Sequence, residues 1–197
     1  PLDYAWEVHN QYLRKYGGLG SKTVLLGMNP GPWGMGQTGV PFGDVSKVRD
    51  YLGLTGDVGQ PERLHPKRPV IGLESTRNEV SGTRLWGIIE ETFGSADDAH
   101  ANLFVVNHCP LLMFDEDGKN LTPDKLSGQS AKKLLELCNQ HLRQVVEILG
   151  ATRVIGVGAY AEKQAKKALF GIDIEITRIP HPSPASPLAN RNGGADW

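Results

Sequence analysis

Three stretches of this chain carry polar groups and glycines that core packing does not call for. Gly27-Met28-Asn29-Pro30-Gly31-Pro32-Trp33-Gly34 follows one apolar run, Asn107-His108-Cys109-Pro110 a second, and Pro180-His181-Pro182-Ser183-Pro184 another. Taken singly, each has an ordinary explanation: an Asn after a strand caps or turns the chain, and a His in a proline-rich loop lies on the surface. Together they offer amides, an imidazole and glycines from three separated parts of the sequence, the makings of a ligand-contacting edge. A further stretch, Gly156-Val157-Gly158-Ala159-Tyr160-Ala161, fits the GxGxxA turn of a dinucleotide-binding oxidoreductase, with Glu175 beyond it. Against that alternative, this unit stands third among the strands, Glu175 falls within its own strand, and the other three stretches are left unexplained. Cys109 and Cys138 make no CxxC or CxxH pair, which argues against a disulfide scaffold, an iron–sulfur cluster and structural zinc. Two buried, reduced thiols and no metal are expected.

The elements that must position these residues follow from periodicity. Leu2, Ala5, Trp6, His9, Tyr12, Leu13 and Tyr16 recur at helical spacing, so a helix is predicted over residues 2–16 with the Gly17-Gly18 pair as its stop. Four β-rich runs, 23–26, 101–106, 152–157 and 174–179, alternate with helical patterns at 81–93, 131–149 and 160–170. Ser81 is expected to cap the first of these helices and Gly94 to end it. Strands alternating with helices predict a parallel sheet covered on both faces, with ligands at the carboxyl ends of the strands. Residues 53–80 form a long Gly/Pro/Arg-rich connection of unassigned structure, and nothing repeats or marks a second domain. A single domain over 1–197 and a monomer are expected.

The formal net charge is −1, so nothing in the composition attracts a polyanion globally and any nucleic-acid contact must be local. Arg63, His65, Lys67 and Arg68 are the better candidates for phosphate contact; Lys163, Lys166 and Lys167 read as a solvated helical face. No apolar run approaches the ~20 residues that cross a bilayer. The N-terminus also lacks the basic flank and apolar core of a signal peptide. The expectation is a soluble intracellular protein, cytoplasmic in a prokaryote and nuclear in a eukaryote.

The run from Gly27 to Gly43, with Asn107 to Leu111 and His181-Pro182-Ser183-Pro184 followed by Pro187, Ala189 and Asn190, strongly resembles the motifs of the single-strand-selective monofunctional uracil-DNA glycosylases, in their order and approximate spacing. The resemblance covers most of the chain. It implies an α/β/α three-layer sandwich around a four-stranded parallel sheet, and a DNA repair enzyme that flips uracil or a C5-modified uracil such as hydroxymethyluracil out of DNA. The enzyme would hydrolyse the N-glycosidic bond and leave an abasic site. The partner implied is DNA containing uracil or related deaminated or oxidised bases, and no cofactor is implied. A mismatch-type glycosylase of the same superfamily, with a broader range of deaminated bases, is the alternative.

Carried over by motif position, Asn29 holds the attacking water, Phe42 stacks on the flipped base, and Asn107 reads its edge by offering a donor to O4 and an acceptor to N3–H. Turned over, the same amide suits cytosine, so selectivity requires neighbours that pin it. His181 faces uracil O2, where charge gathers as the bond to the sugar breaks. Met28 and Gly31 complete the base pocket; with Gly31 beside C5, a small polar substituent fits, and uracil and hydroxymethyluracil are expected over thymine. Pro182, Ser183, Pro184 and Ala185 correspond to the wedge that fills the gap left by the extruded nucleotide. Ala185 stands where a basic residue is common, Gly36 where Ala is, and His108 where an apolar residue is. The family continues into another helix beyond Trp197, so the resemblance implies a C-terminus cut short there. No Lys stands in the motifs as a Schiff-base nucleophile, which predicts base removal without strand cleavage. A neutral Asn29 in place of a carboxylate is expected to slow the reaction.

Overall fold

The structure, a computed structural model, describes residues 1–187 and 189–191; Leu188 and the C-terminal residues to Trp197, where the shortened end was expected, lie outside the described residues. Four strands, β1 (Thr23–Gly27), β2 (Leu103–Asn107), β3 (Arg153–Val157) and β4 (Glu175–Ile179), form one parallel sheet in the order β2-β1-β3-β4. Val24 to Gly27 and Phe104 to Asn107 are all buried. Successive strand residues point to opposite faces, so both faces of β1 and β2 are covered, the state that favours Val/Leu/Phe runs over alternation.

Among the described residues the α-helices are α1 (Trp6–Tyr16), α2 (Met35–Thr38), α3 (Val80–Phe93), α4 (Ala96–Asn102), α5 (Gly128–Leu149) and α6 (Ala159–Ala168), and two groups of them cover the sheet. One group joins α1 and α3 to α4, which reaches β2; the other joins α5 to α6, which lies against β1, β3 and β4. Between the first group and the sheet, His100 stacks on Tyr16 with ring centroids 4.0 Å apart and packs near Trp86 and Phe104. Burial there pushes His100 down to about 4.

The alternating α/β pattern and all four strands stand as expected; α2 and α4 fall where no helix was predicted, and the other differences lie at helix ends. α1 begins at Trp6, because residues 2–5 form a turn whose Ala5 N–H donates to the Pro1 carbonyl at 2.9 Å. Ala101 is helical rather than strand: Ser95 caps α4 by accepting from the Asp98 N–H, a Ser-x-x-Asp signal at the helix start. Ser81 is not a cap. Glu79 caps α3 instead, accepting from the Gly82 N–H. The long connection before α3 carries one 3-10 turn, Gly72–Glu74, and hangs on buried Gln37. That side chain donates to the carbonyls of Pro32 (2.8 Å) and Pro69 (3.0 Å) and accepts from the N–H groups of Ile71 (2.7 Å) and Gly72 (3.1 Å). Cys109 and Cys138 are both buried and free. No helix of the described residues is long and apolar enough to cross a membrane.

Candidate active site

Parallel strands in register bring their carboxyl ends to one edge, and Gly27 of β1 pairs there with Asn107 of β2. A Cβ on Gly27 would stand 2.2 Å from Asn107 Oδ1 and 2.5 Å from Phe42 Cε2. Only glycine lets the amide and the ring share the end of β1. Phe42 itself adopts φ +53°, the left-handed region that costs a side-chain-bearing residue about 1–2 kcal/mol. Its neighbours hold it there. The Phe42 carbonyl accepts from the Asp44 N–H at 2.8 Å, and the buried Asp44 carboxylate accepts from the N–H groups of Ser46 (3.1 Å) and Glu79 (2.9 Å), tying this loop to the start of α3. Backbone strain sustained by such ties is a mark of functional sites.

A cavity of about 400 Å³ opens at this edge. Met28, Asn29, Gly31, Phe42, Asn107 and His181 all line it, as does Ser183. His181 arrives from beyond β4, the edge strand, and reaches across the end of β3. Gly158 lies in its path: a Cβ there would be 3.3 Å from His181 Cβ, at φ +90°. Gly156 lets α6 pack on β3, since its Cβ would meet the Glu162 nitrogen at 2.4 Å. Packing thus accounts for both glycines of the GxGxxA pattern without a dinucleotide.

Asn107 is 6% exposed, and its Oδ1 has no hydrogen-bond partner. Its Nδ2 donates to Met35 Sδ at 3.3 Å. A thioether sulfur can only accept, so the amide stands with its amine end toward Met35 and its oxygen unmatched. His181 Nδ1 accepts from the Ser183 N–H at 3.1 Å, which places the imidazole proton on Nε2. Burial lowers its pKa, so the ring is neutral at pH 7. Its centroid is 6.0 Å from that of Phe42. Asn29 Nδ2 donates to Asn120 Oδ1 at 3.1 Å and to the Pro30 carbonyl at 3.3 Å.

Glu79, Ser81, Met35, Asn120 and Thr122 also line the cavity, and sequence reasoning assigned none of them. Burial raises the pKa of the Glu79 carboxyl, whose Oε2 accepts from the Gly82 N–H at 2.5 Å. Its Oε1 lies 3.8 Å from where a Cβ on Gly31 would be, so the wall beside Gly31 is polar. Of the wedge residues, Pro182 is buried with its carbonyl accepting from Arg84 Nη1 at 2.9 Å, while Pro184 and Ala185 are exposed outside the cavity lining. Two bonds make this segment a tight turn: Ala185 N–H to Ser183 Oγ (3.2 Å) and Ser186 N–H to the Ser183 carbonyl (2.8 Å). His108, apolar in the pattern, is instead a matched polar core residue, donating through Nε2 to Asn139 Oδ1 at 2.8 Å and meeting the Tyr160 hydroxyl at 3.1 Å. A larger cavity of about 610 Å³, lined in part by Arg63, His65 and Arg68, is lined by none of Asn29, Phe42, Asn107 and His181. Chemistry, not volume, therefore singles out the edge cavity as the candidate. Trp33 packs beneath Arg77, whose guanidinium carbon is 4.2 Å from the ring centroid.

A model of the uracil DNA glycosylase superfamily matches residues 14–193. The Rattus norvegicus protein named single-strand selective monofunctional uracil-DNA glycosylase is 46% identical over 193 residues, spanning 97% of this chain and 69% of that protein. Its Bos taurus counterpart is 46% identical, spanning 97% of this chain and 71% of its own. The crystal structure of wild-type Pedobacter heparinus SMUG2 aligns over 91% of this chain and 73% of that one with a TM-score of 0.64, a likeness of fold at 21% sequence identity. With its sheet order, its edge cavity and nearly its whole length accounted for, the chain belongs to the single-strand-selective monofunctional uracil-DNA glycosylases of the uracil DNA glycosylase superfamily.

Proposed function

We propose that this protein hydrolyses the N-glycosidic bond of uracil in DNA, acting as a monomer where the cell keeps its DNA. The observation that carries the reading is the single cavity shared by Asn29, Phe42, Asn107 and His181, with the buried Asn107 oxygen left unmatched. A buried acceptor without a partner costs about 1–3 kcal/mol, and the N3–H of an extruded uracil would relieve that cost. Asn107 Nδ2 keeps a second hydrogen for O4, while Met35 disfavours the flipped amide that would suit cytosine. The base would stack on Phe42.

As the C1′–N1 bond breaks, its electron pair passes to the base as uracilate and the sugar becomes oxocarbenium-like. The His181 Nε2–H, fixed by the Ser183 N–H on the other ring nitrogen, would meet the charge that gathers on O2. Water, held in line by Asn29 Oδ1, then adds to C1′, and the proton it loses passes through solvent to the uracilate, which leaves as uracil. A weak base suffices, because the sugar is already cationic. No lysine is among the residues lining the cavity, which supports hydrolysis without a covalent sugar intermediate. Beside Gly31, the Glu79 carboxyl could accept from a hydroxymethyl group at C5, whereas a methyl would find only a polar wall. Ser183 and its flanking prolines would enter the gap in the strand, a compact turn with little entropy to lose.

The test is a labelled oligonucleotide with one uracil, incubated with the protein and divided, one half treated with alkali. Cleavage in the alkaline half alone is expected. Breaks before alkali would refute the monofunctional assignment, and an intact strand in both halves would refute the activity.

A further inference from the structure

An asparagine can orient water as an acceptor only through its oxygen, and its two ends are nearly the same size, so something must decide which end faces the cavity. The decision runs through two amides. The Pro30 carbonyl, which can only accept, receives Asn120 Nδ2 at 2.9 Å. That bond turns Asn120 Oδ1 toward Asn29, whose Nδ2 donates to it at 3.1 Å and to the same Pro30 carbonyl at 3.3 Å. Reversing Asn29 would set its oxygen against two oxygens; reversing Asn120 would set an oxygen against the Pro30 carbonyl and an amine against an amine. Only one polarity of the pair sets a donor against an acceptor at all three contacts, and it leaves Asn29 Oδ1 with no protein donor among the described residues.

Asn120 lies 91 positions from Asn29, yet its backbone is anchored: it bridges to Phe114, and the Leu121 N–H donates to the Met113 carbonyl at 2.8 Å. It also lines the cavity. We infer that Asn120 is a positioning residue, which transmits the polarity of the Pro30 carbonyl to Asn29 and so holds the acceptor end of that amide toward the attacking water. The inference rests on the glycosylase reading of the site.

The experiment is single-turnover excision from a uracil oligonucleotide by wild type, Asn120→Ala, Asn29→Ala and the double variant, with binding to an oligonucleotide carrying 2′-fluoro-2′-deoxyuridine, which resists cleavage. Misorienting a catalytic group costs on the order of 10- to 100-fold, so Asn120→Ala should lose about that much in rate while binding the resistant oligonucleotide about as well as wild type. In the Asn29→Ala background the same change should have no effect, since there is no amide left to orient. A merely structural role predicts an equal factor in both backgrounds, and that result overturns the inference. If Asn29→Ala is too slow to measure, the split between rate and binding decides: equal losses in both, or no loss in either, overturn it. Wild type that excises uracil while Asn120→Ala matches it sinks this inference alone. Wild type with no excision sinks the glycosylase reading beneath it.

Discussion

Replacing Gly27 by alanine adds one methyl at the point where three parts of the site touch. The new Cβ would stand 2.2 Å from Asn107 Oδ1, 2.5 Å from Phe42 Cε2 and 2.9 Å from Phe42 Cζ. Carbon atoms in contact settle at about 3.5–4.0 Å, so something must retreat by roughly 1 Å. The strand cannot, because Gly27 is paired with Asn107 and its carbonyl accepts from the His108 N–H at 2.9 Å. The Phe42 backbone is hemmed in too: its carbonyl oxygen lies 2.0 Å from where a Cβ on Gly82 would be, against the first turn of α3. The Asn107 amide and the Phe42 ring must therefore leave their places. Overpacking of this kind costs about 1–3 kcal/mol, which in a chain of this size lowers Tm by about 2–4 °C per kcal/mol. With Asn107 reading the base as proposed, its displacement by about 1 Å should slow excision on the order of 100-fold. Thermal melting and single-turnover excision by Gly27→Ala measure the two effects. A variant less stable but fully active would mean that Asn107 and Phe42 do not hold the base; one unchanged in both would mean that the close approach at Gly27 is wrong.

Removing the sulfur that fixes Asn107, by Met35→Leu, should cut the preference for uracil over cytosine about 5- to 10-fold, the worth of one modest hydrogen bond; paired excision rates on the two bases would show no change if the amide is pinned elsewhere. Gly31→Leu should abolish excision of hydroxymethyluracil while sparing uracil, and equal loss on both would remove Gly31 from the C5 side. Burial pushes His9, His100, His108, His141 and His181 below their ordinary value. The unfolded chain then binds more protons below about pH 6.5, so this contribution is full above that pH and is lost as pH falls. His100, pushed down to about 4, accounts for a loss of ~2 kcal/mol at pH 5. Urea melts at pH 7 and pH 5 check the sign, which a flat or rising stability would reverse.

The sheet was legible because its strands are short β-rich runs, and the three contact segments follow three of them directly. What periodicity could not show is contact made by single residues in irregular chain. Asn120 belongs to a loop with no repeat, and its partner is 91 positions away. Glu79 precedes a helix whose cap was sought two residues later, and its side chain can pass toward the cavity because Gly34 leaves it space. The Gly156-x-Gly158 turn illustrates the opposite case, a recognisable pattern whose glycines serve helix packing and the passage of His181. One expectation changes outright. A carboxylate in place of Asn29 would present oxygen to both Asn120 Oδ1 and the Pro30 carbonyl, so Asn29→Asp should not exceed the wild-type rate, contrary to the gain expected from the chemistry alone.

The claim beneath all of this is that two residues from opposite ends of the chain act on one extruded base. Single-turnover release of uracil by Asn29→Ala and by His181→Ala tests it most directly, with binding to the cleavage-resistant oligonucleotide measured alongside. Each variant should lose on the order of 100- to 1000-fold in rate and keep its affinity for DNA. Full-rate release by either one would place the chemistry somewhere other than this cavity.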